Sequence, residues 1–273
     1  MSQPPEYQSS DASWIPCITV PVYNHEEAVG IIIDQLLTYN IPIILVDDGS
    51  DCSCKKVLQE IERRHGDVIL ISLSENIGKG GAVKAGLREA KKRKFTHVLQ
   101  IDADGQHAVG DVPKFFALAK ERKSTLITGI PVYDETVPAV RFYARYLTHV
   151  WIHINTLSLS IKDSMCGFRV YPVEEVFGLI ETEFTGNRMD FDSEVLVKWF
   201  WRGGDVLNVP TKVNYPLDGV SHFSLWKDNY LITKMHTRLF FGMLIRSPKL
   251  FGRLMSRHFF SKKNTILNED ARE

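Results

Sequence analysis

Short apolar runs alternate with longer amphipathic segments through the first half of the chain. The runs are rich in β-branched residues, and the segments between them repeat apolar residues at helical spacing. The predicted strands are Ile15–Val20, Ile43–Val46, Val68–Leu73, His97–Ile101 and Leu126–Thr128. The predicted helices lie near Glu26–Tyr39, Ser53–Arg64, Lys79–Lys91 and Val112–Lys120. This alternation indicates an α/β fold with a mostly parallel sheet that helices cover on both faces.

The regular alternation of apolar strands and amphipathic helices ends after Thr128. The later elements predicted are a long helix at Pro138–Leu159, strands at Cys166–Tyr171 and Val206–Val209, and a helix at Ser193–Trp201. We therefore divide the chain into a disordered leader (1–13), one α/β domain (14–220), a helical extension (221–263) and a polar tail (264–273).

Polar clusters follow four of the predicted strands. They are Tyr23–Glu26, Asp47–Ser50, Asn76–Gly80 and Asp102–Asp104. Ligands of parallel α/β sheets bind at the carboxyl ends of the strands. We therefore expect the four clusters to meet at one edge of the sheet.

The most informative cluster is Asp102-Ala103-Asp104, at the end of a buried strand. Two carboxylates about 4 Å apart repel by roughly 4 kcal/mol at an effective dielectric near 20, unless a cation or protons intervene. Oxygen ligands suit the hard cations that accompany nucleoside diphosphates, and Gln106 would add a carbonyl oxygen. The alternative is a solvated turn that carries two acids.

Two further clusters suit a nucleotide. Asp47 and Asp48 would accept hydrogen bonds from a base or ribose, although Asp-Gly also favours an ordinary tight turn. The glycines after Asn76 would let backbone N–H groups approach a phosphate, with Lys79 adding charge. The spacing matches neither a Walker loop nor the dinucleotide fingerprint, which argues against a kinase and against an NAD enzyme.

The second half of the chain offers candidates for acid–base chemistry and phosphate binding. Asp163 or Asp192 would act as general base toward an acceptor hydroxyl, while the alternative for Asp192 is a helix N-cap. Arg169 is either a structural ion pair or a phosphate clamp. His222 would meet a phosphate from a flexible loop.

Composition narrows the choice of partners. Lys plus Arg and Asp plus Glu both number 33, so whole-chain charge gives no argument for nucleic acid. The four cysteines fit neither a disulfide framework nor a zinc pattern, and a reducing compartment suits them. No stretch approaches the ~20 apolar residues that a bilayer span requires.

The extension at 221–263 is strongly basic. At helical spacing, Leu250, Leu254 and Met255 fall on one side, with Lys249 and Arg253 along its flank. This pattern favours an interfacial helix on an anionic membrane surface. The alternative is a helix packed on the domain with its basic side in water.

Taken together, the motifs resemble the ordered signature of family 2 glycosyltransferases, in particular the dolichol-phosphate mannosyltransferase-like branch. The motifs that carry the resemblance are Val20–Glu26, Val46–Ser50, Asn76–Gly80, Asp102–His107 and Asp163–Arg169. The resemblance implies a GT-A fold, a nucleotide-diphosphate sugar as donor, a Mg²⁺ or Mn²⁺ ion, and inversion at the anomeric carbon.

The same resemblance implies roles for individual residues. The nucleoside would be bordered by Pro21, Tyr23, Glu26, Asp47 and Asp48. Asp102 would lie beside the donor and, with Asp104 and Gln106, would hold the metal. Asp163 and Asp192 would lie near the acceptor.

We therefore expect a metal-dependent glycosyltransferase that acts on a lipid or polyprenyl-phosphate acceptor. It would work in the cytoplasm, peripherally at the inner face of the cytoplasmic membrane. Two alternatives remain: a nucleotidyltransferase, and a nucleotide-sugar-binding scaffold without transfer activity.

Overall fold

A computed structural model describes residues 14–132, 139–213 and 224–269, and it describes only the backbone of residues 139–144, 225 and 256–269. The strands are β1 (Pro16–Val22), β2 (Ile43–Asp47), β3 (Val68–Ser72), β4 (His97–Gln100), β5 (Thr125–Val132), β6 (Arg169–Pro172) and β7 (Asp205–Lys212). They form one seven-stranded sheet in the order β3-β2-β1-β4-β6-β5-β7. The predicted α/β class is confirmed.

Helices connect most of the strands. They are α1 (Glu26–Leu37), α2 (Cys52–Arg64), α3 (Lys79–Lys92), α4 (Val112–Glu121), α5 (Ala139–Thr156), α6 (Val173–Thr182), α7 (Phe191–Arg202) and α8 (Leu225–Glu269). A short 3-10 turn at Val109–Asp111 precedes α4.

Two apolar cores lie on opposite faces of the sheet because its central strands are buried on both sides. One core joins α1, α2 and α4 to the sheet through residues such as Ile33, Leu58 and Phe115. The other joins α3, α5, α6, α7 and α8, for example through Leu87 and Leu239. The helices therefore cover the sheet on both faces, as the apolar strand pattern predicts.

β6 is the exception in a largely parallel sheet. It runs antiparallel to β4, with Leu99 opposite Val170, and antiparallel to β5, with Ile127 opposite Val170. β1 pairs in parallel with β2 and β4, and β5 pairs in parallel with β7. The carboxyl ends of β1, β2 and β4 consequently share one edge, where the residues before β6 also arrive.

The predicted elements match the observed ones closely, with four larger differences. β5 extends to Val132, beyond the predicted end at Thr128, and β7 extends to Lys212, beyond the predicted end at Val209. The strand expected at Cys166–Tyr171 begins only at Arg169, because the preceding residues form an irregular segment. The helix α6 was not predicted at all.

The extension after residue 224 is one long helix that packs on the domain. Arg238 of α8 donates to the wholly buried Glu194 of α7 at 2.8 Å. Trp151 of α5 meets Phe240 of α8 edge to face, with ring centroids 6.3 Å apart. α5, α7 and α8 thus form a helical layer beside the sheet.

Candidate active site

The loops that follow β2 and β3 are held together by Asp48. Its carboxylate accepts the backbone N–H groups of Ile77 and Gly78, both at 2.9 Å, and the side-chain amide of Asn76 at 3.0 Å. Burial raises the pKa of Asp48, although the two backbone hydrogen bonds oppose that rise. Asp48 therefore shapes the glycine-containing loop that begins α3.

A similar connection joins the loops after β1 and β2. The Asp47 carboxylate accepts the N–H of Ser50 at 2.8 Å, and the Ser50 hydroxyl accepts the N–H of Asn24 at 3.1 Å. The second Asp47 oxygen is buried and has no hydrogen-bond partner among the described residues. A buried carboxylate oxygen that lacks a donor is a candidate acceptor for a ligand hydroxyl or N–H.

Three other residues expected at the nucleoside lie on the same edge. Pro21 is buried within β1, whereas Tyr23 and Glu26 just beyond it are partly exposed. Glu26 accepts the Ser53 hydroxyl at 3.0 Å. These positions line the rim of the sheet edge, and whether they contact a nucleoside stays a prediction.

The centre of the edge is a buried charge cluster. The Lys79 ammonium, at the start of α3, lies 2.8 Å from an Asp102 oxygen and 3.0 Å from an Asp192 oxygen. β4 delivers Asp102, and the first turn of α7 delivers Asp192, which lies inside that turn rather than at the cap. Clusters predicted separately from the sequence thus meet in space.

Asp102 is tightly enclosed. His107 Nε2 lies 3.3 Å from its Oδ2, and a Cβ on Gly167 would stand only 2.3 Å from the same oxygen. Burial alone would raise the pKa of Asp102, but the Lys79 and His107 side chains outweigh burial and hold that pKa well below its usual range. Asp102 is consequently a carboxylate at neutral pH.

The donor set at this edge fits a cation that is shared with a ligand. Asp102 Oδ1 is buried without a hydrogen-bond partner among the described residues, so one oxygen remains to be satisfied. Asp104 is partly exposed and accepts the N–H of Gln106 at 3.0 Å. In the part of the chain with described side chains, no three His, Cys, Asp or Glu groups form a preformed metal cage. Magnesium sites that use one or two carboxylates plus substrate phosphates have this character.

Asp163, a candidate base, is enclosed by basic side chains. Arg145 of α5 donates to both of its oxygens, at 2.5 and 2.7 Å, and His149 lies 3.2 Å away. Asp163 also accepts the N–H groups of Met165 and Cys166. Burial would raise the pKa of Asp163, but His149 and Arg145 lower it well below its usual value. A carboxylate so stabilised is a weak base, and its contacts fasten α5 to the irregular segment before β6.

Arg169, expected as an ion pair or a phosphate clamp, lies 3.7 Å from an Asp192 carboxylate oxygen, as the ion-pair alternative predicts. Its side chain is wholly buried and donates to the carbonyls of Cys166, Asp192 and Ser164. A guanidinium with these partners holds the loop before β6 against α7 and does not reach an exposed phosphate. His222 lies outside the described residues.

Two further side chains belong to the site although no motif in the sequence indicates them. Arg188 lies 3.3 Å from the Asn76 side chain and 3.4 Å from Asp228 of α8, so it links the loop at the start of α3 to that helix. Gln100 accepts the Tyr171 hydroxyl at 2.9 Å and lies 3.4 Å from Asp192. An amide inside the otherwise apolar run 98–101 is the signal that could have identified Gln100.

Residues 17–177 match the family model described as glycosyl transferase family 2. The chain is similar to an uncharacterized protein of Methanocaldococcus jannaschii, with 25% identity over 215 residues that cover 76% of this chain and 92% of the relative. It is also similar to the human dolichyl-phosphate beta-glucosyltransferase, with 28% identity over 66% of this chain and 61% of the relative. The relative in Dictyostelium discoideum has the same name, with 28% identity over 66% of this chain and 60% of its own length.

Solved structures agree on the fold. Glucosyl-3-phosphoglycerate synthase from Mycobacterium tuberculosis superposes with a TM-score of 0.59 at 17% identity, over 85% of this chain and 80% of that one. The mannosyltransferase PcManGT from Pyrobaculum calidifontis superposes with a TM-score of 0.56 at 16% identity, over 85% of this chain and 64% of that one. The fold is thus the expected GT-A type. Since the family model covers more than half of its length, the chain belongs to glycosyl transferase family 2.

Proposed function

We propose that the chain transfers a sugar from a nucleoside-diphosphate donor to a lipid or polyprenyl-phosphate acceptor, with inversion at the anomeric carbon and with a divalent cation. Membership of the glycosyltransferase family supports the reaction class. The names of several relatives, which are dolichyl-phosphate beta-glucosyltransferases, support the lipid-phosphate acceptor. The chain spans only about 60% of those relatives' length, so the acceptor is part of the proposal.

The observation that carries the proposal is the charge cluster at the end of β4. Asp102, Asp104 and Gln106 would hold a Mg²⁺ or Mn²⁺ ion, because one Asp102 oxygen lacks a hydrogen-bond partner among the described residues and Asp104, two residues further on, is partly exposed. Such a cation, when bound, neutralises the charge on a departing nucleoside diphosphate. Lys79 is already placed at Asp102 and supplies a further positive charge toward the diphosphate.

The acceptor determines whether a base is needed. A phosphate acceptor is ionised at neutral pH and requires none. For a hydroxyl acceptor we favour Asp192 over Asp163, because Arg145 engages both oxygens of Asp163. The Gln100 amide and Lys79 orient the Asp192 carboxylate within the cluster.

The setting proposed is the inner face of the cytoplasmic membrane, where a lipid acceptor and a cytoplasmic nucleotide-sugar meet. All four cysteines are free thiols, which suits a reducing compartment. Among the described residues, none of the helices has the length and hydropathy of a bilayer span.

The test is transfer from UDP- and GDP-linked sugars to a polyprenyl phosphate, with Mn²⁺ present or chelated. Asp104→Ala should abolish transfer, whereas Asp34→Ala, which removes an exposed carboxylate of α1, should leave transfer unchanged. Full, metal-dependent activity of Asp104→Ala would refute the proposed ligand set.

Two other outcomes would replace the proposal. Donor binding without transfer to any acceptor would favour the scaffold alternative. Release of pyrophosphate from a nucleoside triphosphate and a sugar phosphate would favour a nucleotidyltransferase.

A further inference from the structure

Helix α8 has two apolar faces, and among the described residues only one of them packs against the rest of the protein. The inner face packs against α5 and α7 through Met235, Leu239, Met243 and Leu250, which are at most 5% exposed. The outer face is defined by Trp226, Tyr230, Phe241, Ile245 and Met255, which are 59–92% exposed. At 100° per residue the outer-face residues fall within one third of the helix circumference, opposite the inner face.

The outer face is long and regular. Its residues are separated by 4, 11, 4 and 10 positions, which keeps them on one side of the helix along roughly 44 Å of axis. Large exposed side chains scattered singly are normal on a protein surface. Here several share one side of a helix, with polar side chains such as Lys234 and Thr237 between them, and such an amphipathic surface suits an interface.

α5 carries exposed apolar side chains of its own. Tyr146 and Leu147 in the middle of α5 are about 60% exposed, and Leu159 just beyond the end of this helix is 75% exposed. An open groove of about 460 Å³ lies between residues 150–159, whose mostly apolar side chains line it, and Leu254 of α8. The groove connects the exposed stripe of α5 with the distal part of α8.

Charge indicates the kind of partner. Asp and Glu are absent from residues 145–159, which cover most of α5 and its end, and from residues 229–255 of α8. Lys234 and Lys249 are exposed on or beside the outer face. A second copy of this chain would bring these cations against their own equivalents, because a two-fold contact places the same patch on both sides. An anionic bilayer would neutralise them, and it would also solvate Trp226 and Tyr230 at its polar boundary.

We propose that the outer face of α8, together with the exposed stripe of α5, docks on the surface of an anionic membrane. The helix lies in the interface and buries its aromatic and aliphatic side chains among the lipid acyl chains, while its lysines meet phosphate headgroups. The biological purpose rests on the proposed function: α5 also carries Arg145, which holds Asp163, so a docked α5 presents the site to a lipid acceptor.

The test is sedimentation of the full chain with vesicles, without donor or acceptor. The chain should bind vesicles of phosphatidylcholine mixed with phosphatidylglycerol, and added salt should weaken that binding. Phe241→Ser/Ile245→Ser should reduce affinity by about tenfold or more. Lys234→Gln/Lys249→Gln should reduce it roughly 30-fold on the anionic vesicles and much less on phosphatidylcholine alone.

The matched control is Ile31→Ser, which removes a 63% exposed side chain from α1, away from the proposed surface. It should bind like the parent chain, and all variants should retain their circular dichroism. If the folded parent chain does not bind vesicles, the proposal is overturned. It is also overturned if neither double variant binds more weakly than the parent chain. If the parent chain forms dimers and the Phe241→Ser/Ile245→Ser variant does not, the surface binds a second copy of the chain instead. None of these readouts involves sugar transfer, so failure here leaves the proposed function to its own test.

Discussion

Removing the Lys79 ammonium tests whether the charge cluster is as tightly coupled as its distances indicate. Lys79→Met keeps most of the side-chain volume and leaves Asp102 and Asp192 facing each other across the vacated position. Lys79 lies 2.8 and 3.0 Å from their oxygens, and the three side chains are 17%, 21% and 7% exposed. The substitution therefore isolates the effect of a single charge.

The magnitude follows from these distances and from burial. Each contact is worth about 5–6 kcal/mol of Coulomb attraction at an effective dielectric of 20, before the cost of desolvation is subtracted. Removal of one partner from a buried pair destabilises proteins by about 3–5 kcal/mol. We expect a loss of that size in the free energy of unfolding, or a fall of on the order of 10 °C in Tm.

The pH dependence has a definite sign. In the parent chain the pKa of Asp102 is depressed, so its carboxylate contributes stability above the unfolded pKa, and that contribution is lost as pH falls. In Lys79→Met two close carboxylates repel, and the pKa of the pair rises. Because protons relieve the repulsion, the deficit should be smaller at about pH 5 than at about pH 8.

The measurement is urea unfolding at several pH values, with Arg88→Met as control. Arg88 lies on the same helix and pairs with Glu181 at 2.8 Å, but the two side chains are 52% and 41% exposed. Exposed pairs contribute about 0–1 kcal/mol. Equal, pH-independent losses in the two variants would refute the view that Lys79 bridges two buried carboxylates.

Three further predictions follow from contacts near the site and in the helical layer. Gly167→Ala would place a Cβ 2.3 Å from an Asp102 oxygen, so transfer activity should fall about tenfold or more, while the circular dichroism spectrum should not change. The control is Gly178→Ala, whose Cβ would meet no atom within 4 Å and which should leave transfer activity unchanged. Burial lowers the pKa of His236 to about 4, so stability should decline as pH falls from about 6.5 toward 4, and His236→Gln should flatten that decline in thermal melts. Glu194→Gln removes a wholly buried charge that pairs with Arg238 of α8, and urea titration should show that the free energy of unfolding falls by about 3 kcal/mol.

The first half of the fold was predictable because its central strands β1, β2 and β4 are buried on both faces. Runs such as Ile43–Val46 contain apolar residues alone, and such strands with helices between them form parallel sheets. Parallel order then brings Asp48, Lys79 and Asp102 to one edge. Their meeting therefore required no knowledge of tertiary contacts beyond the order of the elements.

The second half depended on contacts that local pattern does not encode. Nothing in Arg169–Pro172 indicates an antiparallel strand inserted between β4 and β5. The two interpretations of Arg169 could not be separated because its acceptors are carbonyls of Ser164 and Asp192, on two other segments. The missed helix α6 does carry a signal, since Val173, Val176 and Ile180 repeat at helical spacing directly after the strand.

The placement of β6 affects how the protein assembles during synthesis. β5 and β7 pair extensively with each other, but among the described strands they reach the remaining sheet only through the four residues of β6. The ribosome must therefore deliver the chain as far as Pro172 before the two parts of the sheet can join. Until then one edge of β4 has unpaired backbone N–H and C=O groups, which makes the nascent chain a candidate client for chaperones.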